Sequence, residues 1–417
     1  MGPLSHLRVL DLSRILAGPW AGQIFADMGA DVIKVERPGS GDDTRGWGPP
    51  YLQDEHGEDT SESAYYLCAN RGKRSIELDI TTAHGQVVIR RLVEKTDILL
   101  ENYKLDGLKK YGLDYASLKA VNPGLIYCSI TGFGQDGPYA KRAGYDFLIQ
   151  GMSGLMSVTG EPDGVPGGVP GGVPGGGPVK VGVALTDILT GLYGVIGVMG
   201  ALEHRNRTGQ GQHIDLALLD VQVAAMANQA SNYLTSGKAP GRLGNAHPNI
   251  VPYQAFKTAD GYMILAVGND GQFRKFCAVA ECPELADDER FVTNKARVLN
   301  RDVLAPLLEG IMIKRNSADW LASLEAVAVP CGPINTLDQV FDDAQVKARG
   351  LKVDLDHPTG GRVPLVANPI KYSETPIEYK MPPPTLGQHT HEVLQEVLGM
   401  SAQDLNELMA APKPAES

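Results

Sequence analysis

Asp187 is the acidic residue of this chain whose position best suits contact with a ligand. It lies in VGVALTDILTG, directly before the apolar run Ile188–Leu202, which predicts a buried helix. The dipole of that helix would favour the charged form of the carboxylate at its N-terminus. The alternative is structural, because Asp and Thr are also common first residues of helices. An acid that opens an otherwise apolar helix can also meet a ligand at the carboxyl ends of neighbouring strands.

Two loops hold further polar side chains that are candidates for contact with a substrate. Tyr145 and Asp146 follow a Gly-Pro turn, where they either line a site or only pack and hydrogen-bond within their loop. The loop 241–249 supplies the other candidates, Arg242, Gly244 and His247. A histidine in a glycine-containing loop is either structural or functional, and the sequence leaves that choice open.

Basic residues near predicted strand ends form a possible site for phosphates in an otherwise acidic chain. This group includes Arg37, Lys73 and Lys110. Each of them taken alone is equally compatible with a solvated surface charge. The sequence contains no H-E-x-x-H, G-x-S-x-G or Walker motif and no C-x-x-C pair, so it supports neither a metal site nor serine hydrolysis.

The segment 8–36 predicts a strand, a turn, a helix and a second strand, in RVLDLSRILAGPWAGQIFADMGADVIKVE. Pro19 suits the first turn of a helix, and Gly29 suits a left-handed helix end. A parallel βαβ unit that ends in an acid, here Glu36, is typical of a dinucleotide-binding site. That site requires three glycines in its first turn, whereas SRILAGP has only Gly18. The glycine-rich loop that would bind a phosphate is therefore missing.

The order of patterns along the chain predicts an α/β fold with more than one domain. Alternating strand and helix signals in the first part predict a doubly wound parallel sheet. We expect a Rossmann-like large domain over 1–200, a linker helix over 201–224, a small α+β domain over 225–330 and a C-terminal part over 331–417. The repeat Gly164–Pro178, GVPGGVPGGVPGGGP, predicts a flexible surface insertion.

Local signals predict individual elements in the later part of the chain. The turn Thr258-Ala-Asp-Gly261 between two strand-like segments predicts a hairpin. Apolar spacing predicts a helix over 298–313. Thr336 and Gln339 resemble a capping box, which predicts a helix from there to about residue 348.

Composition limits the classes of partner. The chain has 417 residues, of which 43% are hydrophobic, and a net charge of −11. A negative chain is a poor general partner for nucleic acid or an anionic membrane. The run Ile188–Leu202 is short for a bilayer span and favours a core helix. Five scattered cysteines and the lack of a signal-like N-terminus predict a reducing, cytoplasmic location.

Several motifs in a fixed order resemble the class III CoA-transferases, the formyl-CoA transferase-like family. The resemblance extends along nearly the whole chain, and no single motif carries it. The matching stretches are ILAGPWAG, GADVIKVERPGSGDDTR, NRGKRSIELD, ENY at 101–103, SITGFGQDGP, AGYD, VGVALTDILTGLYG, RTGQGQHIDLALLD, VPYQAFKTADG, VPCGPIN and PPPTLGQHT.

The resemblance implies roles for individual residues. Asp187 matches the family's nucleophile, although its distance of 42 residues from Tyr145 is longer than in the family. Three G-V-P-G units account for the extra length, so the repeat is interpreted as an insertion. The positions that match residues in contact with CoA are Ile15, Leu16, Ala17, Arg37, Lys73, Asn102, Tyr103 and Lys110. Of these, Arg37 and Lys73 would meet phosphates.

The resemblance also implies a reaction and an assembly. The chain is most similar to family members that use dicarboxylates, which implies transfer of CoA from succinyl-CoA to an acid such as glutarate. The transfer would pass through an aspartyl anhydride and an aspartyl-CoA thioester, with CoA as a substrate and no permanently bound cofactor. Arg242 and His247 would hold the distal carboxylate. An interlocked homodimer is implied, in which 331–417 returns to the large domain.

Two alternatives remain at this point. One is an α-methylacyl-CoA racemase or epimerase of the same family, and the other is a CoA-binding protein without catalytic activity. The racemases use a histidine and an aspartate as paired bases, and they carry histidine at the position of Tyr145. The second base is therefore missing from this chain, which argues against racemisation.

Overall fold

The computed structural model describes residues 1–162, 176–401 and 403–404. Its strands are β1 Arg8–Asp11, β2 Asp31–Glu36, β3 Tyr51–Gln53, β4 Asp59–Ser63, β5 Lys73–Glu77, β6 Ile98–Glu101, β7 Ile126–Thr131, β8 His213–Ala217, β9 Tyr253–Lys257, β10 Tyr262–Ala266, β11 Cys331–Pro333, β12 Lys352–His357 and β13 Gly361–Val366. Its α-helices are α1 Ala17–Asp27, α2 Ala64–Leu67, α3 Ala83–Val93, α4 Tyr115–Val121, α5 Asp146–Met152, α6 Leu185–Thr208, α7 Leu218–Ala225, α8 Ala227–Ser236, α9 Asp270–Val279, α10 Glu284–Asp287, α11 Asn294–Leu299, α12 Arg301–Met312, α13 Ser317–Glu325, α14 Leu337–Asp342, α15 Ala344–Ala348 and α16 Thr390–Leu398.

The described residues fall into two compact units. The first combines those of Met1–Gly154, Val181–Ala227 and Ala344–Ser417, and the second combines those of Leu155–Lys180 and Asn228–Asp343. The C-terminal segment thus packs with the N-terminal one, whereas the second unit extends beyond the expected 225–330. Of the predicted insertion, residues 164–175 lie outside the described residues.

The first unit is built on a six-stranded sheet with the order β5-β2-β1-β6-β7-β8. All its neighbouring strands pair in parallel. The chain runs from β1 toward one edge and from β6 toward the other, so the order reverses between these two strands. The carboxyl ends of the strands at such a reversal enclose a crevice where ligands bind in open α/β sheets.

Alternating residues of the central strands cover both faces of this sheet, as expected for a doubly wound fold. Val9 and Val32 belong to one apolar core with α1 and α6, whereas Leu10 and Ile33 belong to the other with α3, α4 and α16. Because both faces are covered, the strand edges at the carboxyl side are the place where polar groups can remain accessible.

The segment 201–224 differs from the expected linker helix. It contains the end of α6, then β8, which pairs with β7 at the edge of the sheet, and most of α7. The alternating residues of β8, with the burial pattern exposed, half-buried, exposed, half-buried, buried, are typical of an edge strand rather than a helix.

Helix α6 is long and apolar enough to pass a length-and-composition test for a membrane span, with a mean hydropathy of 1.6. Val195, Val198 and Ala201 on this helix are buried in the core that it shares with α1. A test of length and composition does not separate a membrane span from a buried core helix. The packing of α6 against α1 agrees with the predicted core helix.

The second unit holds a three-stranded antiparallel sheet with the order β11-β10-β9. The hairpin of β9 and β10 was predicted from the turn Thr258-Ala-Asp-Gly261. Phe256 and Met263 from this hairpin pack with Phe276, Leu308 and Trp320 from the surrounding helices. This unit thus combines strands and helices around an apolar core of its own, with bounds that differ from the expected 225–330.

Candidate active site

A cleft of about 560 Å³ opens at the carboxyl ends of β1 and β6, in the first unit. It lies where the strand order reverses, which is the position expected for a ligand site in this type of sheet. The residues predicted from the sequence that line it are Ile15, Leu16, Ala17, Arg37, Asn102, Tyr103, Lys110, Tyr145 and Asp187. The structure thus brings together side chains that are up to 172 residues apart in the chain.

Asp187 reaches this cleft from the first turn of α6. The cap residue of the helix is Ala184, so Asp187 is the third helical residue and not the N-cap. A Cβ placed on Gly191 would lie 2.7 Å from the carbonyl oxygen of Ala17. The glycine therefore permits the start of α6 to lie against the start of α1, and this contact positions Asp187 at the cleft.

Asp146 caps the helix that carries Asp187. Its Oδ1 accepts the backbone N–H of Thr186 at 2.8 Å and that of Asp187 at 3.4 Å, and Gln150 Nε2 donates to its Oδ2 at 2.7 Å. Asp146 does not line the cleft. Its predicted contact with substrate is replaced by a role inside the protein, because both carboxylate oxygens are occupied by internal donors.

The protonation of Asp187 differs from the sequence-based expectation. Burial, and then the charge of Asp146, raise the pKa of Asp187 to about 7. The helix dipole was expected to favour the charged form, but loss of solvent and a second carboxylate outweigh it. A carboxylate with a raised pKa is a more basic nucleophile, and such shifts are typical of functional positions.

Cations at the mouth of the cleft give it a positive rim. Arg37 is exposed there, and Lys110 lies with its Nζ 4.6 Å from the centre of the Tyr111 ring. Neither has a carboxylate partner among the described residues. Lys104, Lys141 and Arg142 also line the cleft and were not predicted. These side chains are suited to bind the phosphates of an anionic ligand.

Lys73 does not line the cleft. Its Nζ is fully buried and donates to Asp11 Oδ2, the carbonyl of Pro19 and Asn70 Oδ1, each at 2.9 Å. The predicted phosphate contact of Lys73 is therefore replaced by an internal ion pair. Burial favours this outcome, since an unpaired buried carboxylate at Asp11 would be costly.

Asn102 and Tyr103 lie at the cleft directly after β6, as predicted. The amide of Asn102 is engaged by the protein, because it accepts the N–H of Arg14 at 2.9 Å and donates to the carbonyl of Arg14 at 2.7 Å. The guanidinium of Arg14 lies 5.7 Å from the centre of the Tyr103 ring. These contacts tie the segment after β6 to the turn after β1.

The candidates from the loop 241–249 all belong to the second unit. Arg242 Nε donates to the carbonyl of Glu161 at 3.0 Å, and Gly244 has a left-handed φ of +57° beside the Glu161 carboxylate. Burial, and then the charge of Arg301, lower the pKa of His247. His247 is thereby held in its neutral form, which weakens it as a partner for a carboxylate.

Tyr65 is a neighbour of Asp187 that the sequence motifs did not single out. Burial, and then the negative charge of Asp187, raise the pKa of Tyr65 to about 12. Its hydroxyl therefore stays protonated at neutral pH and keeps a hydrogen to donate. No spacing rule connects residues 65 and 187, so only the fold could reveal this neighbour.

No group of three or more metal-binding side chains occurs within the part of the chain that the structure describes. The chemistry available at the cleft is that of one carboxylate nucleophile, a raised pKa and a rim of cations. This combination suits transfer of an acyl group to and from a large anionic carrier.

Comparison with known proteins identifies the family. The model of CoA-transferase family III matches residues 4–390. The chain belongs to CoA-transferase family III. The prediction from the ordered motifs is thereby confirmed, and with it the assignment of the chain to the CoA-transferase enzymes.

Two curated relatives within CoA-transferase family III are similar over almost their whole length. The succinate–glutarate CoA-transferase of Agrobacterium fabrum is 56% identical over 395 residues, which cover 95% of this chain and 96% of the relative. The human succinyl-CoA:glutarate CoA-transferase is 42% identical over 409 residues, which cover 98% of this chain and 89% of the relative.

A solved structure agrees with the fold of this family member. The CAIB/BAIF family protein from Brucella suis matches with a TM-score of 0.81 at 53% identity, over 95% of this chain and 99% of the other. The predicted α/β class with a parallel sheet is therefore confirmed.

Proposed function

We propose that this family member transfers CoA from succinyl-CoA to glutarate, with Asp187 as the nucleophile. The observation that carries the proposal is the position of Asp187, whose pKa is raised to about 7 at a cleft rimmed by Arg37 and Lys110. The names of the two relatives described above support the choice of donor and acceptor. Enzymes of this family take CoA thioesters and carboxylic acids as substrates.

The first half of the reaction moves CoA onto the enzyme. The carboxylate of Asp187 attacks the thioester carbonyl of succinyl-CoA, the C–S bond breaks, and an aspartyl–succinyl anhydride and CoA thiolate form. The thiolate then attacks the aspartyl carbonyl of the anhydride and releases succinate. The product is an aspartyl-CoA thioester, and one activated carboxyl has replaced another at each step.

The second half passes CoA to the acceptor. A carboxylate of glutarate attacks the aspartyl-CoA thioester, thiolate leaves, and an aspartyl–glutaryl anhydride forms. The thiolate attacks the glutaryl carbonyl, which gives glutaryl-CoA and restores the Asp187 carboxylate. No proton or electron is gained or lost overall. Each step replaces one activated carboxyl group by another, so the free energy that hydrolysis of the thioester would release is retained.

The residues of the cleft support these steps in separate ways. Arg37 and Lys110 bind phosphates of CoA, and the side chains of Ile15, Leu16 and Ala17 contact its less polar part. Backbone N–H groups of glycine-containing loops stabilise the oxyanions that form at each attack, since those of Thr186 and Asp187 donate to Asp146. The pKa of His247 is lowered, so its neutral form is favoured and it is a weak partner for the distal carboxylate of an acceptor.

We also infer a homodimer, interlocked as in the resemblance, and a cytoplasmic location without a permanent cofactor. The support for a dimer is an apolar strip on α6, formed by Leu192, Ile196 and Met199, which are 41%, 64% and 41% exposed in the single chain. Exposed apolar strips of this kind are typical of protein interfaces. The five cysteines are all free, which agrees with a reducing compartment.

An exchange assay with trapping tests the proposed function. Purified protein is given succinyl-CoA with glutarate, oxalate, itaconate, mesaconate or citramalate, and the new CoA thioesters are measured by mass spectrometry. We expect glutaryl-CoA as the main product. Hydroxylamine added with succinyl-CoA should convert Asp187 into a hydroxamate, visible as a modified peptide. Asp187→Ala should abolish both signals.

The same preparation distinguishes the alternatives. In D₂O, a racemase or epimerase would incorporate deuterium at the α-carbon of a 2-methylacyl-CoA without any acyl exchange. A binding protein would retain CoA and give no new thioester with any acceptor. Full exchange activity in Asp187→Ala would contradict the proposed nucleophile, whatever the acceptor.

A further inference from the structure

The turn between β1 and α1 contains a residue in a conformation that its type disfavours. Ile15 has a φ of +73°. In the left-handed region the Cβ of an L-residue crowds the backbone, and a branched β-carbon makes the crowding worse. A glycine would avoid this cost, and the dinucleotide motif has glycines in this turn. Such a conformation persists only where its surroundings enforce it.

The backbone of the two residues before Ile15 is held by buried side chains. The N–H of Ser13 donates to Asp11 at 3.0 Å, and the carbonyl of Ser13 accepts Lys34 Nζ at 2.9 Å. Asn102 binds Arg14 at both ends, with 2.9 Å to its N–H and 2.7 Å to its carbonyl. The chain that enters Ile15 is thus fixed by side chains from β1, β2 and the end of β6.

Asp42 fixes Ile15 itself. Its Oδ1 accepts the N–H of Ile15 at 3.2 Å, and its Oδ2 accepts Lys34 Nζ at 2.8 Å. The N–H and hydroxyl of Thr44 donate to the same carboxylate, at 3.0 and 2.8 Å. Asp42 is only 1% exposed. A carboxylate with this many buried donors is rigidly placed, so it can impose a geometry on the turn.

These contacts leave the N–H groups of residues 13–15 no capacity to bind a phosphate. Ser13, Arg14 and Ile15 each donate to a protein carboxylate or amide oxygen. The turn therefore contributes to the cleft through its side chains, and Ile15 lines the cleft. The direction of the Ile15 side chain depends on its left-handed φ, because the φ sets where the Cα–Cβ bond points.

We propose that Asp42 and Asn102 are positioning residues that hold Ile15 left-handed, so that the turn presents its side chains to CoA. The inference rests on the proposed function, which places CoA in this cleft. Asp42 and Asn102 act through the turn, and the affinity for CoA depends on them because the bound conformation is formed before the ligand arrives.

A double-mutant cycle measured by calorimetric titration with CoA tests the proposal. The variants are Asn102→Ala, Asp42→Asn and Ile15→Gly, together with each of the first two combined with Ile15→Gly. We expect Asn102→Ala to raise the Kd of CoA by about 10-fold, and by less than about threefold in the Ile15→Gly background. Glycine adopts a positive φ without support, so it should remove most of the dependence on Asn102.

Asn122→Ala is the matched control. Asn122 Nδ2 donates to the carbonyls of Val93 and Thr96, away from the residues of the cleft. We expect it to lower the melting temperature without changing the Kd of CoA. If Asp42→Asn does not fold because Lys34 is left unpaired, the Asn102 cycle decides the question alone.

Equal effects of Asn102→Ala with and without Ile15→Gly would overturn the proposal, because a direct contact with CoA gives the same loss in both backgrounds. An unchanged Kd in Asn102→Ala would overturn it as well. Binding is measured without turnover, so a chain that binds CoA and exchanges no acyl group would contradict the proposed function alone.

Discussion

At the scale of single residues, the reactivity of Asp187 is set by its neighbours rather than by its helix. Its carboxylate is half-buried, and Asp146 lies close enough for its charge to act on it. Both effects oppose ionisation, whereas the N-terminus of α6 favours it. The balance leaves a carboxyl whose pKa of about 7 is far above that of an exposed aspartate.

Asp146→Asn should therefore shift the pH dependence of the exchange reaction. The amide oxygen can still accept the N–H groups at the start of α6, but the negative charge is gone. The pKa of Asp187 should fall. The acidic limb of the profile of kcat against pH should therefore move to lower pH, by roughly one pH unit. Glu94→Gln, which removes an exposed carboxylate at the end of α3, is the control and should leave the limb in place. An unmoved limb in Asp146→Asn would contradict the electrostatic role.

The same raised pKa predicts a cost in stability. The folded pKa of Asp187 lies above its unfolded value, so its contribution to stability is lost as the pH rises through about 7. Asp187→Asn should therefore raise the free energy of unfolding at pH 8 by about 1–2 kcal/mol, since the side chain is partly exposed and the full shift is not realised. The gain should vanish at pH 3.5. Denaturant titrations at the two pH values measure the difference, and equal gains would contradict it.

At the scale of elements, basic residues near the strand ends have two different kinds of surroundings. Lys73 at the start of β5 is buried with Asp11, whereas Arg37 follows β2 and stays exposed at the cleft. The two residues looked alike as basic residues near strand ends. Their positions separate them, because Lys73 is the buried first residue of the edge strand β5, whereas Arg37 lies beyond the carboxyl end of β2.

Paired variants test this division. Lys73→Met should lower the free energy of unfolding by about 3–5 kcal/mol, because it leaves Asp11 buried without its partner. Arg37→Ala should leave stability unchanged and raise the KM for succinyl-CoA about 10-fold, because it removes one charge-assisted contact. Thermal denaturation and steady-state kinetics on both variants give the comparison. The reverse assignment of the two effects would restore Lys73 as a CoA ligand.

Local sequence signals placed most elements and missed some of their ends. The capping box of Thr336 and Gln339 is present, yet the helix ends at Asp342 instead of continuing to residue 348. The predicted helix over 298–313 is broken at Asn300, the C-cap residue of α11 and the N-cap residue of α12. Apolar residues follow helical spacing on both sides of such a break, so periodicity does not detect the break.

At the scale of the whole molecule, the apolar strip on α6 is exposed to solvent in the single chain. Leu192, Ile196 and Met199 follow helical spacing and lie on one face. We expect a dimer of about twice 44.6 kDa in light scattering. Ile196→Glu should lower the yield of dimer on refolding, because interlocked chains associate only while they fold and a charge in an apolar interface is costly. Val87→Glu, at an exposed apolar site on α3, is the matched control.

A monomeric wild type would contradict the dimer, and an Ile196→Glu variant that remains fully dimeric would contradict the placement of the apolar strip at its interface. The test does not depend on the exchange reaction, since light scattering measures mass alone.

The family, the parallel sheet and Asp187 as a candidate nucleophile all follow from the sequence alone. Ordered motifs and strong periodicity are properties of neighbouring residues, so they can be read along the chain. The sequence also shows that the turn SRILAGP lacks the glycines of a dinucleotide site.

The conformation of that turn and the surroundings of the charged residues are visible only in the folded chain. Ile15 takes up the left-handed φ that a glycine would supply. Asp42 accepts its N–H, and Asn102 binds the N–H and carbonyl of Arg14 before it. The pKa of Asp187, the cap formed by Asp146 and the burial of Lys73 arise in the same way. Each depends on contacts between residues far apart in sequence, and burial and charge act through space.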